Sequence, residues 1–304
     1  MEISAVICTR ERYAFLSRAI ASLTLQVGVD GIFEIIVVDN SPDAAKAADF
    51  ARDYADVGHM RFIHISTPGL SNARNVAAAT ATGRIVAYLD DDAVASVAWA
   101  SSLLETFDQF GPEAGIVGGP VAPLWEAHPP FVLTKTFKDI FSLIDLGGVS
   151  RVMSEGEWLA GCNIAFDRAA LLEAGGFDLN LGRTGNAAAL LSNEELLACD
   201  RIKKLGKTMV YASGAVVDHF IPADRANWDW IVRRIAWQTV SDAMSHPERA
   251  RKHARYLATS RAFPRRLKRA MAWLGFWRRR GRRLKDSDYF LIYDMINELL
   301  CTGL

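Results

Sequence analysis

Strand-length apolar runs alternate with stretches of helical periodicity over the first 120 residues. Ile3-Ser-Ala-Val-Ile-Cys8, Phe33-Glu-Ile-Ile-Val-Val38, Met60-Arg-Phe-Ile-His-Ile65 and Arg84-Ile-Val-Ala-Tyr-Leu89 are the first four runs. Between them, Tyr13 to Gln26, Ala44 to Ala55 and Asn72 to Thr80 carry apolar positions at helical spacing, with Ser71 placed to cap the third. Runs without polar alternation are buried on both faces, and crossover helices supply that cover. The pattern predicts an α/β fold with a mostly parallel central sheet flanked by helices.

The second half is less regular. A helix from Val97 to Phe110 and a strand at Gly115-Ile-Val-Gly-Gly119 continue the alternation. Residues 120 to 157 mix Pro and aromatics and predict loop, short helix and edge strands. Glu157 to Phe166 reads as a strand leading into a helix at Arg168 to Ala174, followed by a Gly-rich loop from Gly175 to Gly185. Ser192-Asn-Glu-Glu195 has the spacing of a capping box for a helix reaching about Leu205. Thr208 to Ala212 and Ala215 to Val217 are the last strand signals. From Asn227 the pattern is helical, with breaks near Pro247, Pro264 and Gly281.

Charge changes this picture at one end. The chain has 35 basic and 35 acidic residues, but 15 of the basic ones and no acidic one fall between Arg249 and Lys285. The rest keeps 20 basic against 35 acidic residues, a net of −15. An acidic body therefore carries a basic segment in which Trp273, Phe276 and Trp277 are interleaved with cations. An amphipathic basic helix of this kind suits an anionic membrane surface; the competing reading packs it on the acidic body. Nucleic-acid binding is compositionally allowed, but no recognition motif supports it. Cys8, Cys162, Cys199 and Cys301 have no metal-ligand spacing and suit a reducing compartment. The start, Met1-Glu2-Ile3-Ser4, lacks a secretory signal, and no apolar run is long enough to span a membrane. The expected location is cytoplasmic, peripheral on the inner membrane face if the basic segment docks.

The chemistry points to Asp90-Asp-Asp92 at the end of the fourth apolar run. Three adjacent carboxylates repel one another unless a cation joins them. Hard oxygen ligands suit Mg²⁺ or Mn²⁺, whose remaining positions are commonly filled by substrate phosphates. The bland reading is a turn, or Asp92 capping a helix near Val94. Asp39, in Asp-Asn-Ser-Pro after the second run, can accept from a nucleobase N–H or simply form an Asx turn. Arg74 lies in a helix first turn, where a cation opposes the dipole. A diphosphate contact or a surface salt bridge would account for it.

Taken in order, these segments resemble the family 2 nucleotide-sugar glycosyltransferases, which have the GT-A fold. The matching pieces are Val6-Ile-Cys-Thr-Arg10, Ile36-Val-Val-Asp-Asn-Ser41, Gly69-Leu-Ser-Asn-Ala-Arg-Asn75, Leu89-Asp-Asp-Asp92, Gly161-Cys-Asn-Ile-Ala-Phe166, Gly176-Phe-Asp178 and Ser192-Asn-Glu-Glu195. The resemblance implies a GT-A domain over residues 1–225, with a donor half of about 1–118 and an acceptor half of about 119–225. A helical basic extension would occupy 226–304. It implies inverting transfer of a sugar from a nucleotide diphosphate to a hydroxyl of a glycan or lipid-linked acceptor.

By the same resemblance, Asp90 would contact the nucleoside and Asp92 the metal, with His219 completing the metal site. Asp91 would be a spacer or supporting group on the donor side, and Thr9, Arg10, Asp39 and Arg74 would contribute donor contacts. Gly161, Cys162 and Asn163 would lie in the acceptor half, with Trp158 either stacking on an acceptor sugar or in the core. The family commonly has Glu-Asp where this chain has Glu194-Glu195. Alignment makes Glu195 the base, unless it completes the capping box and leaves Glu194 free. Two alternatives are a sugar-phosphate nucleotidyltransferase and a non-catalytic sugar-binding module. Against the first, no Gly-rich, Lys-containing loop follows the first strand.

Overall fold

The computed structural model describes residues 1–129, 133–184, 189–252 and 285–302. In chain order its elements are β1 Ile3–Thr9, α1 Tyr13–Thr24, β2 Phe33–Asp39, α2 Ala44–Arg52, β3 Met60–His64, α3 Leu70–Thr80, β4 Ile85–Asp90, β5 Ala93–Ala95, α4 Trp99–Phe110, β6 Ala114–Gly118 and β7 Val121–Trp125. There follow α5 Lys135–Ile140, β8 Arg151–Val152, β9 Asn163–Asp167, α6 Arg168–Glu173, α7 Glu194–Lys204, β10 Thr208–Tyr211, β11 Val217–Ile221, α8 Trp228–Ser245 and α9 Asp286–Thr302. The chain divides into two compact units. One comprises Met1–Leu124, Leu143–Asn186 and Glu194–Phe220; the other comprises Trp125–Ser142, Ala187–Asn193 and Ile221–Leu304.

The first unit is built on an eight-stranded sheet ordered β3-β2-β1-β4-β9-β6-β10-β8. From β3 to β4 the strands are parallel, as the apolar runs predict. β9 then enters antiparallel between β4 and β6, so the sheet is mixed. Successive side chains of β1 point to opposite faces. Ile3, Ala5 and Ile7 join Leu16 and Ile20 of α1 and Trp99 and Leu103 of α4 in one core layer. Val6 joins Ala73 and Ala77 of α3, and Ile36 and Val38, in the other. Each fully buried large aliphatic side chain contributes about 1.5–3 kcal/mol relative to exposure. β5 and β11 pair antiparallel beside the end of β4, with His219 opposite Ala93.

The other unit is largely helical, with α5, α8 and α9 packed on one another. Phe137 meets Tyr289 edge-on, and the Tyr293 hydroxyl donates to Asp242 at 2.7 Å.

Several local expectations are corrected. Ser71 lies inside α3, and its hydroxyl donates to Leu181 O at 2.8 Å. The helix instead starts after Gly69, whose φ of 129° suits glycine, and the Leu70 N–H is taken by Arg183 O at 2.8 Å. Asp92 caps no helix: it leads into β5, and α4 begins at Trp99. The strand expected over 157–166 is confined to Asn163–Asp167, because a turn closes through Asn163 N–H to Ala160 O at 2.9 Å. The capping box does not form. α7 starts at Glu194 after Asn193 with φ of 76°, while the Ser192 N–H donates to Ser241 Oγ at 3.1 Å. Most of the basic segment, residues 253–284, lies outside the described residues.

Candidate active site

Three adjacent strands deliver the donor-side candidates to one sheet edge. Thr9 is in register with Asp39, and Cys8 with Asp90. Loops at the C-terminal ends of parallel strands are where such sheets bind ligands. Asp39 makes the Asx turn: its Oδ1 accepts from Ser41 N at 2.8 Å, and its Oδ2 accepts from the Tyr13 hydroxyl at 2.9 Å. The Ser41 hydroxyl, itself donating to Asp39, accepts from the Glu11 N–H at 2.7 Å. Glu11 has φ of 56°, a conformation that non-glycine residues hold only when their surroundings enforce it. The turn after β2 thus shapes the loop after β1.

That loop presents Arg12, a residue not singled out from the sequence. Its Nη1 donates to Asp91 Oδ1 and its Nη2 to Asp92 Oδ2, each at 2.7 Å. The Thr9 hydroxyl donates to the second Asp91 oxygen at 2.7 Å. Both carboxylates are buried, at 5% and 6% exposure. Burial pushes the Asp91 carboxyl up to about 7, against the pull of Arg12. Burial acts on Asp92 in the same sense, but His219 and Arg12 beside it hold it well below the usual carboxylate range. A signal for Arg12 was present: it precedes α1, where a cation opposes the helix dipole. The same argument had marked Arg74, but α3 starts at Leu70 and places Arg74 beyond its first turn.

The His219 Nε2 stands 3.6 Å from Asp92 Oδ1. Two ligands at right angles on one ion with bonds of about 2.1 Å are about 3 Å apart, so the pair can share a small cation with little movement. Among the described residues no group of three or more His, Cys, Asp or Glu side chains converges to hold a metal. Asp92 and His219 are thus the pair, among the described residues, whose spacing suits a small cation.

Arg74 occupies the middle of the site and is 2% exposed. Its Nη1 donates to Glu194 Oε1 at 3.0 Å; its Nη2 donates to Gly161 O at 3.1 Å and Asp90 Oδ1 at 3.3 Å. Of the two readings offered for this cation, the salt bridge is present but buried, not on the surface. Glu195 is the next residue of α7. Its Oε2 is buried with no hydrogen-bond partner among the described residues, as is Glu194 Oε2. Burial, reinforced by the neighbouring Glu194 charge, pushes the Glu195 carboxyl up to about 8. A Cβ on Gly161 would lie 2.9 Å from Arg74 Nη2 and 3.4 Å from Glu195 Cδ, so a side chain here would push the guanidinium aside.

The remaining candidates divide. Asp90 is partly exposed at the sheet edge, its side chain 35% accessible. Arg10 Nη1 is buried without a hydrogen-bond partner among the described residues. Asn163 is fully buried, and its amide is engaged structurally. Its Oδ1 accepts from Trp99 Nε1 at 2.8 Å, and its Nδ2 donates to Ala215 O at 2.8 Å and Pro120 O at 3.0 Å. Cys162 is buried among Val121, Ile144 and Tyr211, and Trp158 packs half-buried against that cluster. Burial pushes the Cys162 thiol far up, which leaves it un-ionised.

Comparison with known proteins places the chain in a family. The glycosyl transferase family 2 profile matches residues 4–135. A glucosyl-dolichyl phosphate glucuronosyltransferase of Haloferax volcanii is 34% identical over 245 residues, covering 79% of this chain and 76% of the relative. The succinoglycan biosynthesis protein ExoM of Rhizobium meliloti is 26% identical, covering 77% and 72%. Among solved structures, GalNAc-T7 with UDP, GalNAc and Mn²⁺ superposes with a TM-score of 0.55 at 15% identity, over 80% of this chain and 50% of that one. The fold is that of the GT-A glycosyltransferases. The chain belongs to glycosyl transferase family 2 and is a glycosyltransferase. Neither the nucleotidyltransferase nor the non-catalytic module is favoured.

Proposed function

We propose that the chain is a metal-dependent, inverting enzyme that moves a sugar from a nucleotide diphosphate to a hydroxyl of a glycan or lipid-linked acceptor. One observation carries the reading. Arg74 bridges Asp90, at the sheet edge, to Glu194, the neighbour of the proton-hungry Glu195. Donor and acceptor chemistry are thereby tied through one buried guanidinium. Asp90 and Asp39 would accept hydrogen bonds from the nucleoside, and Thr9 and Arg10 line the same edge. Asp92 and His219 would hold Mg²⁺ or Mn²⁺, which when bound supplies Lewis-acid stabilisation of the departing diphosphate.

Glu195 is the base. Its elevated proton affinity suits removal of a hydroxyl proton as the glycosidic bond forms. Glu194 keeps Arg74 in place, and its charge adds to the proton affinity of Glu195. Inversion follows if the acceptor is deprotonated on the face opposite the leaving group, as a base does in inverting glycosidases. The Haloferax relative is named for glucosyl-dolichyl phosphate, which supports a lipid-linked acceptor. No helix among the described residues is long and apolar enough to cross a membrane. Residues 249–285 would then bring the enzyme to an anionic membrane surface.

Thermal shift with UDP, GDP and dTDP sugars, each with and without Mn²⁺, tests the donor side. One nucleotide class should raise Tm, and more so with the cation, because ligand affinity converts into stability. Shifts that are equal with and without Mn²⁺ would rule out the metal-dependent reading.

A further inference from the structure

We propose that Arg12 is a resident counter-ion of the Asp91–Asp92 pair, whose charge competes with a divalent cation for Asp92. The inference rests on the metal assignment above and adds a competitor to it. Without Arg12, two buried carboxylates would face each other at the end of β4. The guanidinium resolves this by giving one N–H to each, both at 2.7 Å. It therefore performs in the free protein the neutralisation a cation would perform in the loaded one. Asp92 has two oxygens; His219 stands by Oδ1, and Arg12 holds Oδ2.

The geometry also provides for release. The Arg12 side chain is 37% exposed, whereas those of Asp91 and Asp92 are 6% and 4% exposed. Arg12 is the N-cap of α1, with φ −111° and ψ 43°; its backbone carbonyl is held by Leu16 N–H at 3.0 Å, so the side chain can move alone. Its guanidinium already lies 4.9 Å from the Phe15 ring centroid, and Phe15 packs against Phe220, the residue after His219. An aromatic face at that distance stabilises a cation, so it offers a resting place once the carboxylates are taken. Thr9 retains its bond to Asp91, so this carboxylate stays oriented when Arg12 departs. A bidentate fork between two carboxylates is specific to arginine: lysine would present a single point charge.

Competition of this kind lowers the apparent affinity for the cation. It keeps the site closed to metal until donor phosphates add their own ligands. Mn²⁺ binding to the full chain, read by electron paramagnetic resonance of the free ion, tests this without any turnover. The parent should bind weakly without nucleotide, R12Q at least tenfold more tightly, and R12K between the two. R12Q should also melt lower than the parent without metal and recover on adding Mn²⁺. If the parent binds Mn²⁺ but R12Q and R12K bind no more tightly, Arg12 does not compete, and the proposal falls with the metal site intact. If D92A binds Mn²⁺ as well as the parent does, the metal assignment itself is wrong, and the proposal falls with it.

Discussion

Replacing Glu195 with glutamine removes a titrating group while nearly preserving shape. The carboxyl is buried, one oxygen lacks a hydrogen-bond partner, and its proton is held up to about 8 instead of the ordinary 4.5. Below pH 4.5 the folded and unfolded chains both carry the proton, and the group has no effect on pH-dependent stability. Between 4.5 and about 8 the unfolded chain gives it up and the folded chain keeps it. Stability then falls by about 1.4 kcal/mol per pH step, on the order of 5 kcal/mol in all, and levels off above about 8. E195Q has no such loss. Urea denaturation at intervals from about pH 5 to about pH 9 should therefore show E195Q gaining on the parent as pH rises. Activity should move oppositely. At pH 7 most parent molecules hold Glu195 protonated, so kcat/KM should climb toward a plateau above about pH 8. E195Q should lose about 10²–10⁴-fold in transfer. Parallel stability curves together with normal transfer by E195Q would refute both the burial argument and the assignment of the base.

Other outcomes follow from the same geometry. R74A strands the buried Glu194 carboxylate and should cost about 3–5 kcal/mol in chemical denaturation, since breaking one side of a buried pair leaves an uncompensated charge; a loss below about 1 kcal/mol would show the pair is solvated. G161A puts a methyl 2.9 Å from Arg74 Nη2. Arg74 should give way and its pair with Glu194 weaken, lowering transfer about tenfold or more together with Tm, and unchanged kinetics would deny Arg74 its linking role. The full chain should bind anionic vesicles in a salt-sensitive way, and a chain ending at residue 248 should not; equal binding by both would exclude the basic segment as the membrane contact.

The site's sheet edge was readable because burial and strand period leave few choices. A buried apolar run ending in a carboxylate places that carboxylate at a strand end, and the registers of Thr9, Asp39 and Asp90 follow. Ser71 and Ser192 were misread as caps for a different reason. A serine has several near-equal hydrogen-bond options, and distant partners decided between them: Leu181 O for one, Ser241 for the other. The position of Arg12 before α1 was a local signal, but the partners of Arg12 and the Glu194 partner of Arg74 lie 79 to 120 residues away, which no local pattern encodes. The antiparallel entry of β9 was hidden likewise, because its apolar run looks the same in either direction. Asn163 looked like an acceptor-side residue, but its buried amide ties Trp99 to Ala215 and Pro120.

The position of β9 bears on how the molecule comes into being. The strand arrives some 75 residues after β4 in the chain, yet it is the sole bridge between β4 and β6. A growing or cleaved chain that ends near residue 135 contains every carboxylate of the Asp triplet but leaves β4 with one open edge and β6 with two. Open, apolar strand edges invite pairing with other chains. The stretch that the family profile recognises, residues 4–135, therefore lacks the strand that joins β4 to β6. Synthesis has to pass Asp167 before β4 can be sealed into a finished sheet, and partial products should self-associate until it does.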